Sequence, residues 1–387
     1  MQRKFVFWSV FVLVLAVVIL LSMGIVMLTS TGAFAQDNKG DPNYYLKRQL
    51  LWLGVGMLLC VIMAALDYRY LQKGWWLLYI GAAVLLVACF IPGIGAKLNG
   101  SHRWIRFGGQ TLQPSELGKI AVVVALAWWF ARKESDPLSF KKGFMIPLMG
   151  AGFIVALIAP EVDLGTSALI GGTTLIMMFV AGTRMPYLIA LAGAGALGLA
   201  AAIRFVPERT GRFLAFMQPE KYADDAYQQM QGLIAFASGG IHGLGLGQGK
   251  QKFAYLPYAH TDFIFPMVGE EMGLLFTLLI NVCFLLVLLA GAVIALRSQD
   301  RFGALLGFGL VSLLTLQAIV NIGVTTMLLP NKGLPLPFIS YGGSNLALSL
   351  GIVGILISIY IRGFGEKSDP DGVRLQAKIK HRRTPRI

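Results

Sequence analysis

The run His260-Thr261-Asp262-Phe263-Ile264-Phe265-Pro266-Met267-Val268-Gly269-Glu270-Glu271 opens an apolar stretch that continues to residue 296. It decides the fold, because a segment of that length and composition belongs in lipid. It also carries three acids, Asp262 at its mouth and Glu270 and Glu271 inside it. At a helical rise of about 1.5 Å per residue, Glu270 and Glu271 are expected about 12 Å deeper than Asp262. An ionised group at membrane depth costs at least about 2.5–3.5 kcal/mol, so each acid needs a partner or a task.

The rest of the chain has the same character. Of its 387 residues 56% are hydrophobic and only 13% charged, where soluble domains carry about 25% charged residues. Spans are expected at 5–29, 46–66, 74–92, 113–131, 143–160, 166–182, 185–203, 263–296, 302–329 and 344–361. Ten spans describe an all-α integral membrane protein. Residues 1–362 form one polytopic domain with a large loop at about 204–262, and the basic tail 363–387 is expected to be disordered. Gln2-Arg3-Lys4 and Ala33-Phe34-Ala35 flank the first run as in a signal peptide. That run is much longer than a signal core of roughly 7–15 residues, so it reads as an uncleaved span.

An even number of spans puts both termini on one side. The larger share of the 33 basic residues lies on the segments of that side, which the positive-inside rule assigns to the cytoplasm. The net charge of +14 is thereby explained without a nucleic-acid partner. Cys60, Cys89 and Cys283 lie far apart in apolar runs and show no metal-type spacing.

Chemistry is concentrated on the outer segments. His102, Arg103 and Arg106 beside Trp104 and Phe107 suit a membrane interface, with aromatics at headgroup depth and cations toward phosphates. Gln113-Pro114-Ser115-Glu116 reads as a helix start. Glu116 and Lys119 then share a face at i, i+3 and can pair there. Asp163, after Glu161, is equally an outward acid and a cap for the following span. Within 204–262, Arg209, Arg212, Phe213 and Phe216, then Tyr227 to Phe236, suggest amphipathic helix on the outer surface. The run Gly239-Gly240-Ile241-His242-Gly243-Leu244-Gly245-Leu246-Gly247-Gln248-Gly249-Lys250 fails the phosphate-loop pattern, since Gln251 stands where Ser or Thr is needed. It is either a flexible turn cluster or a set of amides that, with Lys250, meets a pyrophosphate.

Asp262 itself is either a first-turn acid stabilised by a helix dipole or a general base at a water–lipid boundary, framed by His260 and Thr261. Between the last two spans, Asn331-Lys332-Gly333-Leu334-Pro335-Leu336-Pro337-Phe338-Ile339-Ser340-Tyr341-Gly342-Gly343-Ser344 excludes regular helix. Such backbone at membrane depth is tolerated where it lines a cavity; Lys332, Ser340 and Tyr341 are its polar groups.

At these residues the chain resembles the SEDS family of bacterial polytopic proteins (shape, elongation, division and sporulation; FtsW, RodA and SpoVE). The likeness is carried by Gly100-Ser101-His102-Arg103-Trp104-Ile105, Gln113-Pro114-Ser115-Glu116-Leu117, Asp163-Leu164-Gly165-Thr166, His260-Thr261-Asp262-Phe263-Ile264 with Gly269-Glu270-Glu271, and Leu336-Pro337-Phe338-Ile339-Ser340-Tyr341-Gly342-Gly343-Ser344. Two departures stand out: Val162 replaces the usual proline, and Asn345 replaces a common serine and reads as a minor change in the tenth span.

The resemblance implies a peptidoglycan glycosyltransferase that polymerises lipid II on the outer leaflet, with a class B penicillin-binding transpeptidase and other divisome or elongasome membrane proteins as partners. Asp262 inherits the role of catalytic acid. Arg103, Lys119, Arg212, Lys250 and Lys332 are the candidate cations for a departing pyrophosphate. Glu116, Gln231, His260, Ser340 and Tyr341 complete the candidate substrate-binding set, while Glu270, Glu271 and Asp163 are assigned to support of the cavity, the two glutamates toward Lys119 or Lys332. A divalent cation, Mg²⁺ or Mn²⁺, stays open, because no ligand set can be read. Glu161 and the Lys332–Ile339 run look nearer the FtsW pattern than the RodA one, which implies a division protein at the septum. An elongation-type polymerase, a lipid II flippase and a noncatalytic scaffold for the transpeptidase are the alternatives.

Overall fold

The computed structural model describes residues 2–35, 40–98, 101–107, 110–161, 163–205, 207–253 and 255–365. The basic tail, for which disorder was the expectation, and Val162 lie outside them.

Helices dominate, because apolar side chains leave the backbone no partner in lipid except itself. In chain order they are α1 (Gln2–Gly32), α2 (Tyr44–Ala65), α3 (Arg69–Lys73), α4 (Trp75–Ala88), α5 (Pro114–Ala131), α6 (Ile146–Ile158), α7 (Leu164–Ala181) and α8 (Met185–Phe205). They continue as α9 (Pro207–Met217), α10 (Ala223–Gly239), α11 (Ile264–Met272), α12 (Leu274–Leu296), α13 (Arg301–Thr325) and α14 (Gly343–Gly365). Among the described residues nine helices are long and apolar enough to cross a membrane, and α4 is a shorter apolar one. The chain is a multi-pass membrane protein of about ten spans.

The centre of the bundle is α5, α13 and α14, whose side chains are mostly buried, whereas α8 leaves nearly its whole surface outward. Starts are well specified. Pro114 occupies the first turn of α5, and the Asp300 carboxylate caps α13 by accepting from Gly303 N at 2.7 Å. The same Asp300 binds Tyr68 OH and Arg69 Nε, closing the end of the bundle opposite the long loops.

Three expectations change. First, the long span expected at 263–296 is two helices. Gly273 breaks it at φ 81, a left-handed conformation that glycine adopts freely, and a Cβ there would meet the Ile241 carbonyl oxygen at 2.4 Å. Glu270 and Glu271 therefore sit on the short helix α11 and not inside the span α12. Second, the segment after α4 is a small antiparallel sheet in the order β1 (Gly95–Leu98), β2 (Ser101–Phe107), β3 (Gln110–Leu112). Gly95 pairs with Ile105, and Ile105 with Leu112. The sheet is tied to the bundle by Trp52 Nε1, which donates to Gln110 Oε1 at 3.1 Å. Third, α10 does not lie on a surface alone; it buries Ala226, Gln229, Gly232 and Ala235, and its Phe236 meets Phe265 of α11 edge-on at 5.5 Å.

Candidate active site

Where these loops converge, a cavity of about 390 Å³ opens into the bundle. Its wall draws on the sheet (Ser101, Arg103, Trp104), the starts of α5 and α7 (Glu116, Thr166), α9 and α10 (Arg212, Gln228), the 258–263 segment, and the 331–345 segment. Asp262 lines it and is partly open to it while enclosed by the surrounding elements.

Asp262 is delivered by backbone that belongs to no helix, so its position depends on what grips that backbone. Asn321 of α13 donates from one amide to two carbonyls, Asp262 O at 2.8 Å and Leu334 O at 2.6 Å. It thereby joins the acid's segment to the 331–335 segment. Ser340 Oγ donates to Thr261 O at 2.7 Å, and Tyr341 N donates to His260 O at 3.0 Å. Gly333 leaves the carboxylate its space: a Cβ there would stand 2.7 Å from Asp262 Oδ2.

The surroundings set the proton affinity of Asp262. Its pKa is raised from 3.8 to about 7, chiefly by burial and then by the negative charge of Asp163, with Arg103 opposing both. A carboxylate balanced near neutrality is suited to taking a proton from a hydroxyl and releasing it again.

The other candidates divide into those at the cavity and those away from it. Arg103, Glu116, Arg212 and Tyr341 line it with Asp262. Arg103 is oriented by its Nε, which donates to Glu161 O at 2.8 Å. Glu116 is buried and pairs with Lys119 Nζ at 2.8 Å, and Lys119 also donates to Gln317 Oε1 at 2.8 Å, so this lysine is spent inside the bundle rather than on the cavity. Asp163 caps α7, its oxygens accepting from Thr166 N at 3.1 Å and Thr166 Oγ1 at 2.8 Å, with Gln113 Nε2 at 3.3 Å. Ser340 is buried and bonded to backbone. The His260 ring packs on Tyr45, 4.2 Å between centroids. Gln231 and Lys250 are not among the lining residues, and Lys332 lines a neighbouring apolar groove.

Glu270 and Glu271 turn neither to Lys119 nor to Lys332. Their partners are the glycine-rich loop: Lys250 N and Gln251 N donate to Glu270 Oε1 at 2.8 and 3.2 Å, and Gly247 N to Glu271 Oε2 at 2.8 Å. Lys252 Nζ completes a buried ion pair with Glu271 at 2.8 Å. Of the amides read as candidates for a pyrophosphate, those of Gly247 and Lys250 are thus held by the protein's own carboxylates.

Four residues that sequence reasoning passed over belong to the site. Asn321 and Gln228 lay in ordinary helix, with no local signal. Gln113 was named only as a helix start. Asn345, read as a minor change, donates to Glu116 Oε2 at 2.8 Å and satisfies the oxygen that Lys119 leaves free. Among the described residues no three His, Cys, Asp or Glu side chains converge on one point, and the Asp163 oxygens accept from Thr166 and Gln113.

The apolar groove of about 290 Å³ adjoins the cavity and shares Arg212 and Asn331 with it. Leu164, Leu169, Ile203, Phe213, Leu316 and Val320 line it, with Lys332.

Similarity to known proteins is extensive. The family described as "Cell cycle protein", comprising FtsW, RodA and SpoVE, matches residues 11–362. The chain is 41% identical over 353 residues to the probable peptidoglycan glycosyltransferase FtsW of Geobacter metallireducens, covering 91% of this chain and 94% of that one. It is 38% identical over 352 residues to the stage V sporulation protein E of Bacillus subtilis, covering 90% and 95%. One solved structure, of a peptidoglycan synthase complex that coordinates polymerisation and crosslinking, contains a chain similar at a TM-score of 0.76 and 25% identity, covering 91% and 97%. The rod shape determining protein RodA of Thermus thermophilus matches at a TM-score of 0.68 and 25% identity, covering 91% and 96%.

Proposed function

Since this chain belongs to the FtsW, RodA and SpoVE family of cell cycle proteins, we propose that it is a peptidoglycan glycosyltransferase that polymerises lipid II, with Asp262 as its base. The observation that carries the reading is one cavity whose wall brings the enclosed Asp262 carboxyl together with the guanidinium groups of Arg103 and Arg212.

The acceptor's sugar hydroxyl meets Asp262, which takes its proton as the oxygen attacks the anomeric carbon of the donor chain. The bond from that carbon to the pyrophosphate oxygen breaks, and one inversion converts an α-linked donor into a β-linked product. Charge grows on the departing pyrophosphate, and Arg212 and Arg103 are placed to offset it; a guanidinium offers paired donors that match phosphate oxygens. Arg212 stands where the polar cavity meets the apolar groove, so the polyprenyl chain is assigned to the groove and the sugars to the cavity. No step here passes through a metal.

The membrane is the bacterial cytoplasmic membrane, with both termini inside, on the strength of the charge distribution. The likeness to the FtsW relatives supports a septal role, and the likeness to the synthase complex supports a class B penicillin-binding transpeptidase as partner. The test is to supply lipid II to the purified protein with that transpeptidase. Glycan strands are expected. Lipid II that crosses liposomes but never becomes strands would favour the flippase, and strands made equally well without this chain would favour the scaffold.

A further inference from the structure

Asp262 hangs on irregular backbone, described over 250–253 and 255–262, and the α1–α2 hairpin holds it at both ends. At the near end, Lys252 is buried and its Nζ donates to Ser30 Oγ and to Glu271 Oε1, each at 2.8 Å. Ser30, on the last turns of α1, reaches the Glu271 oxygens at 2.7 and 2.8 Å. Two residues past α1, Phe34 meets Phe253 edge-on at 4.6 Å, beneath the Lys252 ammonium at 5.2 Å. At the far end, Tyr45 in the first turn of α2 packs on the His260 ring. Between the two grips Tyr258 is held at φ 56. A bulky side chain there costs about 1–3 kcal/mol and persists only where the surroundings impose it.

We infer that the latch formed by Ser30 with the buried Lys252–Glu271 pair is a positioning device, through which the α1–α2 hairpin sets where the Asp262 carboxylate stands in the cavity. None of the three residues lines that cavity, so they act through the 255–262 backbone and do not touch substrate. An ion pair in the interior is a poor source of net stability compared with apolar packing, but it fixes geometry because both charges must be satisfied at once. The inference rests on the polymerase reading.

Two perturbations separate positioning from folding. Lys252→Met with Glu271→Gln removes both charges of the pair together, so that neither is left buried without the other, and keeps an acceptor in place for Gly247 N. Ser30→Ala cuts only the tie to α1, and Ser30→Thr restores a hydroxyl. With the full chain bound to its transpeptidase, the double variant is expected to lose kcat on the order of tenfold to a hundredfold, the scale of a reacting group displaced by about 1 Å, at unchanged KM for lipid II and unchanged folded fraction. Ser30→Ala should follow more weakly, with recovery in Ser30→Thr. Hydrogen exchange in the 255–263 peptide, read without turnover, should quicken in the double variant and in Ser30→Ala while the 297–305 peptide, at the opposite end of the bundle around the Asp300 cap, is unaffected. Wild-type kcat in the latch variants, a loss fully accounted for by less folded protein, or unaltered exchange in 255–263 would each overturn the inference. Absence of strands from the wild-type protein would instead count against the polymerase reading, and the exchange measurement would still decide the latch.

Discussion

A general base works only when ionised, so the environment of Asp262 fixes how polymerisation responds to pH. An ordinary aspartate at 3.8 would be ionised throughout the physiological range, and the rate would be flat down to about pH 5. With the pKa at about 7, the ionised fraction falls about tenfold for each unit below it, so kcat/KM at pH 6 should be about a tenth of the plateau. The sign can be tested from both sides. Asp163→Asn removes the negative charge that helps to raise the pKa and keeps a side chain that caps α7, so the acid limb should move to lower pH. Arg103→Gln removes the opposing positive charge and should move the limb to higher pH. The His260 ring is packed on Tyr45, and His260→Gln should leave the limb in place. The assay is the initial rate of labelled lipid II incorporation by the complex, from about pH 5 to about pH 8.5 at constant ionic strength. A profile flat to pH 5, or a limb that moves with His260 and ignores Asp163, would refute the reasoning.

Other consequences are sharper at single positions. Gly333→Ala puts a Cβ 2.7 Å from Asp262 Oδ2, so the carboxylate must swing away; kcat should fall on the order of a hundredfold with the melting temperature nearly unchanged. Asn345→Leu strips a buried Glu116 oxygen of its donor, which should cost about 1–3 kcal/mol of stability in detergent, whereas Asn345→Gln should lose less. Gly273→Ala forces a side chain into a left-handed backbone and against the Ile241 carbonyl at 2.4 Å; it should destabilise the protein by more than about 1 kcal/mol, visible as an earlier thermal transition.

What the residue pattern made legible follows from the kind of interaction involved. Spans and their number came from hydrophobicity, which is additive along the chain. The Glu116–Lys119 pair came from helix spacing, which is local. Asp262 was visible as an acid between a polar loop and an apolar run, but the pattern left it open between a helix cap and a base, and its catalytic role came from the family resemblance. The sites of error were nonlocal. Glu270 and Glu271 looked deep only because a continuous helix was drawn through Gly273, and one residue in a left-handed conformation moved both onto a separate element. Their true partners, Lys252 and the amides of 247–251, are adjacent only after the chain turns back on itself. Asn321 could not have been singled out, since a lone asparagine in a span shows neither of the two carbonyls that it joins. Likewise the sheet at 95–112 needed pairing between short segments, whose glycines and basic residues read equally well as loop.

The central claim is that one carboxylate performs the proton transfer, and it is tested most directly by Asp262→Asn. Asparagine keeps the size of the side chain and the backbone carbonyl that Asn321 holds, so folding and the complex with the transpeptidase should survive. The rate of glycan-strand formation from lipid II should then fall by at least about a hundredfold, the span of one general base. Strands made at near the wild-type rate by that variant would contradict the account and move the base to another residue.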